Sequence, residues 1–340
     1  MRRMVLDMDD RRPVFTLPDA VPDRIRAALP DDWELVVVAA QSDGSGDGIG
    51  VATPEALAAV AEAEVYLGLG VPGAVLEAGP RLGWVHTGTA GVGSWLTPQM
   101  RERDILLTNS AGVFGPPMAE TVLAFLLHFA RGLHLARRVQ DRGTWDKSAF
   151  DGPELPVREL GHSTVGIVGL GGVGREVARR CRAFGAHVLG LRRHAGDVDG
   201  VDVLRGADGF DRLLRESDYV VVTAPGTAET AGMLDAAALT RMRPHAVLVN
   251  VGRGSIVDEE ALVDALYDGT IAGAALDVFA TEPLPDGHPL WTAPNVLITP
   301  HVSAYTHHFW ERESDLIVEN VRRYLAGRPL LNVVDKAAGY

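Results

Sequence analysis

The chain has 340 residues, enough for two domains of ordinary size, and its 46% apolar and 23% charged side chains are the balance of a folded protein rather than a disordered one. A formal charge of −13 argues against a nucleic-acid partner, which needs basic surface to displace counterions. The opening stretch MRRMVLDMDDRR is too short and polar for a signal peptide, and no apolar run approaches a membrane span. With one cysteine, Cys181, neither a disulfide framework nor a thiolate metal site is expected; the reading is a soluble, cytoplasmic protein in which Cys181 is a small buried residue.

In chain order, short β-branched runs alternate with helix-length segments. WELVVVAA (33–40), AEVYLGLG (63–70), LGWVHTG (82–88) and ILLTNSAG (105–112) predict a first series of strands, with the polar loop 41–50 between the first two. A helix is predicted over 118–140, with Pro116 and Pro117 placed to start it. A second series follows: STVGIVG (163–169), AHVLGLR (186–192), DYVVVTAP (218–225), HAVLVNVG (245–252), GAALDVF (273–279) and NVLITP (295–300). A last helix is predicted from His308 to Leu325, stopping at Gly327. Continuous apolar strands separated by helices indicate α/β architecture, with two doubly wound parallel sheets of Rossmann or flavodoxin type. The expected division is a second unit, 116–301, inserted into a first made of 1–115 and 302–340.

The strand STVGIVG runs into Gly169-Leu170-Gly171-Gly172-Val173-Gly174 and then a helical segment, the G-x-G-x-x-G order of a dinucleotide site. Its glycines serve a tight turn, backbone approach to a pyrophosphate and close helix packing, and the helix start offers N–H groups to phosphate. NAD-binding versions place a carboxylate at the end of the next strand for the ribose 2′-hydroxyl. Here that strand ends Leu191-Arg192-Arg193-His194, so two guanidiniums stand where a 2′-phosphate would bind. NADP(H) is therefore expected over NAD(H), with NAD(H) possible.

Three stretches of the second series carry reactive side chains just past strands: Arg253 in NVGRGSIVDEEAL, Glu282 in DVFATEPLP and His301 in TPHVSA. Strand carboxyl ends are where open α/β sheets bind ligands. Reducing a 2-oxo acid needs a group that holds the carboxylate and polarises the ketone, which arginine's fork does. It also needs a proton donor for the forming alkoxide, a task suited to histidine, and a neighbouring carboxylate to orient that histidine.

These stretches, with VGIVGLGGVGREVARRCRAFGAHVLGLRR, TAPGTAETAGM and NVLITPHVSA, resemble the D-isomer-specific 2-hydroxyacid dehydrogenase family over essentially the whole chain. The resemblance implies an NAD(P)-dependent, glyoxylate/hydroxypyruvate reductase-like enzyme acting on a small 2-oxo or 2-hydroxy acid. It implies Arg253 as carboxylate and carbonyl binder, Glu282 as partner of the histidine, and His301 as acid–base. It places Gly171, Gly172 and Val173 on the pyrophosphate, and Ala224, Pro225 and Thr230 along the adenosine and ribose. Val251 and Gly252 would back the nicotinamide, Asp277 would bond its carboxamide (its other reading being a strand-end cap), and Ser303 would complete the cofactor contacts. In the first unit, backbone N–H groups of the loop Gly88-Thr89-Ala90-Gly91-Val92 would bind the substrate carboxylate. The 118–140 helix resembles the arm through which members form homodimers. After Val92 the family usually has aspartate, whereas this chain has Gly93, then Ser94 and Trp95; Trp95, Tyr305 and Trp310 would either line a pocket or simply pack. His307 and His308 read as a solvated helix start, since no further metal ligands stand at useful spacing. A carboxyl-terminal regulatory domain, present in some phosphoglycerate dehydrogenases of the family, is not expected. The competing reading is a nucleotide-sensing binding protein like the transcriptional corepressors that share this fold.

Overall fold

The computed structural model describes residues 1–41, 51–151, 157–193 and 196–339; most of the 41–50 loop, and His194, lie outside the described residues. The chain forms two compact units, Met1–Phe114 with Tyr305–Tyr340, and Gly115–Ala304. Each is an α/β unit built on a parallel sheet.

The first unit contains β1 (Arg2–Asp7), β2 (Trp33–Val37), β3 (Val65–Gly68), β4 (Trp84–Thr87) and β5 (Leu106–Asn109), in the order β2-β1-β3-β4-β5. Every pairing is parallel. β1 was not among the expected strands, because its apolar centre is short and flanked by charge. It is nonetheless an inner strand, with Met4, Val5 and Leu6 fully buried. The charges are accommodated at its start: Arg2 pairs with Glu64 at 2.8 Å and lies 4.2 Å from the ring centre of Trp33, and Arg3 pairs with Glu34 at 3.0 Å.

The second unit contains β6 (Thr164–Val168), β7 (His187–Leu191), β8 (Asp202–Leu204), β9 (Tyr219–Val222), β10 (Val247–Asn250), β11 (Gly273–Leu276) and β12 (Val296–Ile298). Their order is β12-β11-β10-β9-β6-β7-β8, so the winding direction reverses beside β6 and β9, where doubly wound sheets bind nucleotides. The three-residue edge strand β8 also went unexpected. Alternate residues serve opposite faces: Val220 and Val222 enter one core, Tyr219 and Val221 the other. Each fully buried Val or Leu is worth about 1.5–3 kcal/mol.

The expected helix 118–140 is two helices, Gly115–Ala130 and Leu133–Asp141. Gly132 interrupts it with left-handed backbone (φ 65°), the conformation that ends a helix at least cost in glycine. The final helix, Phe309–Leu325, has exposed His308 at its N-cap, its Nδ1 2.9 Å from Glu311, and Gly327 follows at φ 62°. Cys181 is fully buried, and burial pushes its thiol up to about 12.

At the amino-terminal edge of the second sheet, Asp218 accepts from Thr164 N–H (2.8 Å), His245 (2.7 Å) and Arg243 (3.0 Å). Burial opposes its ionisation, yet these donors hold its carboxyl below the usual value. A lowered carboxyl stabilises the fold above its unfolded-state pKa of about 3.9, and that contribution is lost as pH falls through the folded-state value. Asp218→Asn should therefore melt lower than wild type at neutral pH. The gap should narrow below about pH 4 in thermal melts across a pH series.

Candidate active site

The glycine turn follows β6 directly. Gly169 has φ 104°, and a Cβ there would lie 2.7 Å from Ala224 N; a Cβ on Gly174 would lie 2.0 Å from Gly169 O. These two glycines fold the turn and seat the helix Gly172–Ala183 against the sheet. Gly171 caps that helix, and nothing lies within 4 Å of where its Cβ would be, so the backbone there is open to a ligand. The N–H groups of the first helical turn, at Gly172 and Val173, have no helical acceptor and suit phosphate. Thr223, just past β9, donates to Gly169 O at 2.6 Å and so fastens the turn from the neighbouring strand. Sequence reading missed Thr223, although a hydroxyl at the end of the run YVVVT was a visible signal.

On the same β9 side, Ala224 is buried, and the Thr230 hydroxyl donates to Pro225 O at 2.7 Å, closing the 225–230 loop. At the end of β7, Arg192 donates to Gly196 O at 3.3 Å and Arg193 pairs with Glu229 at 2.7 Å. Neither arginine is buried.

Beyond β10, Asn250 is buried and builds the turn that presents Arg253: its Oδ1 accepts from Gly252 N–H (3.0 Å) and its Nδ2 donates to Arg253 O (3.0 Å). Val251 and Gly252 are buried within this turn, and Arg253 is half-buried, one guanidinium nitrogen donating to Gly252 O at 2.7 Å. Asn250 was also missed; a polar residue closing the apolar strand VLVN marks it.

Beyond β11, Asp277 is fully buried and organises the turn that carries His301. Its carboxylate accepts from Thr299 Oγ1 (2.6 Å), Val302 N–H (2.9 Å) and Ser303 N–H (3.0 Å), and its own carbonyl accepts from His301 N–H (2.9 Å). Asp277 thus caps this turn, with no exposed surface of its own. Ser303 is likewise buried. The residue these bonds hold has φ 53°, left-handed backbone in a non-glycine residue. His301 Nδ1 then lies 2.7 Å from Glu282 Oε2, while Glu282 Oε1 accepts from Phe279 N–H at 2.8 Å. The two side chains keep about a quarter of their surface exposed (27% and 29%), so the pair is reachable yet held from behind. Glu282 and His301 are thus brought together as the sequence predicted, and Arg253 stands at the end of β10, with β11 carrying Asp277 beside it.

In the first unit, the loop Gly88–Val92 follows β4. Trp95 is buried and donates from Nε1 to Thr89 Oγ1 at 3.1 Å. Trp310 is also buried, against Phe309, and Tyr305 is 43% exposed, edge-on to Phe15 at 5.4 Å.

A family model described as D-isomer specific 2-hydroxyacid dehydrogenase, NAD binding domain, matches residues 123–303. The chain belongs to the D-isomer specific 2-hydroxyacid dehydrogenase family. Among curated relatives, the glyoxylate/hydroxypyruvate reductase B of Pectobacterium carotovorum subsp. carotovorum is 37% identical, over 76% of this chain and 81% of its own. Among solved structures, a D-isomer specific 2-hydroxyacid dehydrogenase from Xanthobacter autotrophicus Py2, in complex with NADPH and MES, is 32% identical with a TM-score of 0.81, covering 100% of this chain and 99% of that one. The NADPH-dependent glyoxylate/hydroxypyruvate reductase of Sinorhizobium meliloti, in complex with NADP and sulfate, is 26% identical with a TM-score of 0.79 and covers 100% of both chains. As a member of this family the protein is an NAD(P)-dependent oxidoreductase, and its two parallel-sheet units are the family's fold.

The glycine turn makes one structural demand that can be tested directly. Gly174→Ala must move either the helix or Gly169, since its Cβ would overlap the Gly169 carbonyl. Overpacking of this kind costs roughly 1–3 kcal/mol. The variant should melt at lower temperature and lose NADPH binding in a fluorescence titration.

Proposed function

We propose that the protein reduces a small 2-oxo acid to the D-2-hydroxy acid with NADP(H), and NAD(H) less well. The observation that carries this reading is the His301–Glu282 pair, 2.7 Å apart on a turn fixed by a buried carboxylate. When bound, the dinucleotide supplies the hydride. Arg253 holds the substrate carboxylate and polarises the ketone, and in the first unit the Thr89–Val92 amides are donors suited to a carboxylate. As the carbonyl oxygen gains negative charge, His301 gives it the proton on Nε2. Glu282, facing Nδ1, keeps the ring in that orientation and stabilises its charged form before transfer. One 2-oxo acid, one reduced dinucleotide and one proton become one 2-hydroxy acid and one oxidised dinucleotide.

Arg192 and Arg193, in place of a carboxylate after β7, support NADP(H), and the relatives from X. autotrophicus and S. meliloti are complexes with NADPH and NADP. The names of the relatives favour glyoxylate and hydroxypyruvate as first substrates to try. Homodimerisation through the helices 115–130 and 133–141, in the cytoplasm, completes the reading.

Steady-state assays with glyoxylate, hydroxypyruvate and larger 2-oxo acids, each with NADPH and NADH, test this. Turnover with a higher kcat/KM for NADPH is expected; equal or better use of NADH would overturn the cofactor preference. His301→Asn, which suits the left-handed backbone there, should lower kcat roughly 10²- to 10⁴-fold with NADPH binding retained. Loss of a charge-assisted hydrogen bond in Glu282→Gln should cost about 1.5–3 kcal/mol, or roughly 10- to 150-fold in kcat. Arg253→Ala should damage kcat and KM together, because one guanidinium serves both the bound carboxylate and the polarised carbonyl. Dinucleotide binding without turnover of any 2-oxo acid would favour a nucleotide sensor instead.

A further inference from the structure

In the loop after β4, the carbonyls of residues 89 to 92 are tied back into the first unit. Thr89 O accepts from Ser110 N–H (3.0 Å), Ala90 O from Asn109 Nδ2 (2.7 Å), Gly91 O from Thr89 Oγ1 (2.8 Å), and Val92 O from Trp95 N–H (2.9 Å). The N–H groups of Thr89, Ala90, Gly91 and Val92 have no acceptor among the described residues. Fixing the carbonyls while leaving the amides unclaimed leaves the loop with backbone donors to offer an anion.

The hydrogen that closes the middle of this loop depends on Trp95. The Thr89 hydroxyl has one proton, and it goes to Gly91 O. Its oxygen must then act only as acceptor, toward Trp95 Nε1–H at 3.1 Å and toward Thr87 Oγ1 at 3.1 Å, the latter also reaching Leu69 O at 3.1 Å. An indole N–H can only donate, so Trp95 holds the Thr89 oxygen through a lone pair and leaves the Thr89 proton free for Gly91 O. The indole is itself fixed by contact: a Cβ on Gly70 would lie 2.5 Å from the Trp95 ring, so only glycine at 70 lets it lie there.

We infer that Trp95, acting through Thr89 and seated on Gly70, is a positioning residue that sets the affinity of the 89–92 amides for the substrate carboxylate. The inference rests on the 2-oxo acid reading proposed above. It gives a task to the Gly93-Ser94-Trp95 departure from the family's usual sequence. The carboxylate is unchanged by the reaction, so amides that hold it bind ground state and transition state alike. Loosening them should raise KM and leave kcat in place.

The test is steady-state kinetics with glyoxylate and NADPH on the full chain, beside calorimetric binding of oxamate, an unreactive isostere of a 2-oxo acid, to the enzyme–NADPH complex. Trp95→Phe removes the N–H together with the far edge of the indole that lies against Gly70. It should raise KM and the oxamate Kd by roughly two- to tenfold, the worth of one hydrogen bond, with kcat and the NADPH Kd held. Thr89→Val should do at least as much, and Thr89→Ser, which keeps the hydroxyl, should recover most of the loss. Gly70→Ala should behave like Trp95→Phe. If Trp95→Phe fails to fold, the contrast of Thr89→Val with Thr89→Ser decides. Unchanged KM and oxamate Kd in Trp95→Phe and Thr89→Val would overturn the inference, as would a fall in kcat at constant KM. A wild type that turns over no 2-oxo acid, but binds oxamate more tightly than Trp95→Phe does, would instead sink the parent reading and keep this one.

Discussion

The carboxylate of Asp277 holds the turn on which the acid–base pair depends. It lies at the end of β11 with no exposed surface and takes three donors from the turn 299–303. Two of those donors are backbone N–H groups, which would otherwise be buried without partners at a cost of about 1–3 kcal/mol each. The charge therefore locks the chain into one path, and that path delivers His301 Nδ1 to 2.7 Å from Glu282. Asn250 repeats the device one strand over, using an amide to shape the turn that bears Arg253. The reactive groups are thus set by short-range hydrogen bonding at the ends of two adjacent strands. The apolar β10 and β11 supply only the rigid base.

The loop after β4 obeys the same economy in the opposite sense. There the protein satisfies carbonyls with its own donors and leaves the amides to a ligand. At the turns after β10 and β12 it satisfies amides with buried side-chain acceptors and leaves the side chains of Arg253 and His301 to do chemistry. In both places selectivity comes from deciding which backbone groups are already spent.

Much of this was legible in the sequence because the signals were local. Strand, glycine turn and helix occur in fixed order at 163–183, and the apolar runs of the second series became six strands, each trimmed at its ends. Where a pattern was interrupted by charge, reading failed: Arg2 and Arg3 hid β1, an inner strand, because their partners Glu64, Glu34 and Trp33 are distant in sequence. Gly132 was passed over inside a helical pattern, although its left-handed backbone divides two helices. The pairing of Glu282 with His301 was foreseen from chemistry. The part played by Asp277 was foreseen only as a lesser alternative, since nothing in a linear pattern says how many donors converge on one carboxylate. Trp95 was legible as a departure, but not as a hydrogen-bond donor.

The backbone of His301 imposes a different kind of limit. At φ 53° the position suits glycine, asparagine, aspartate and histidine, and resists β-branched residues whatever their charge. Few substitutions can therefore abolish proton transfer while leaving the turn in shape, and asparagine is foremost among them. A descendant of this chain that abandoned catalysis for nucleotide sensing would have a narrow door to pass through.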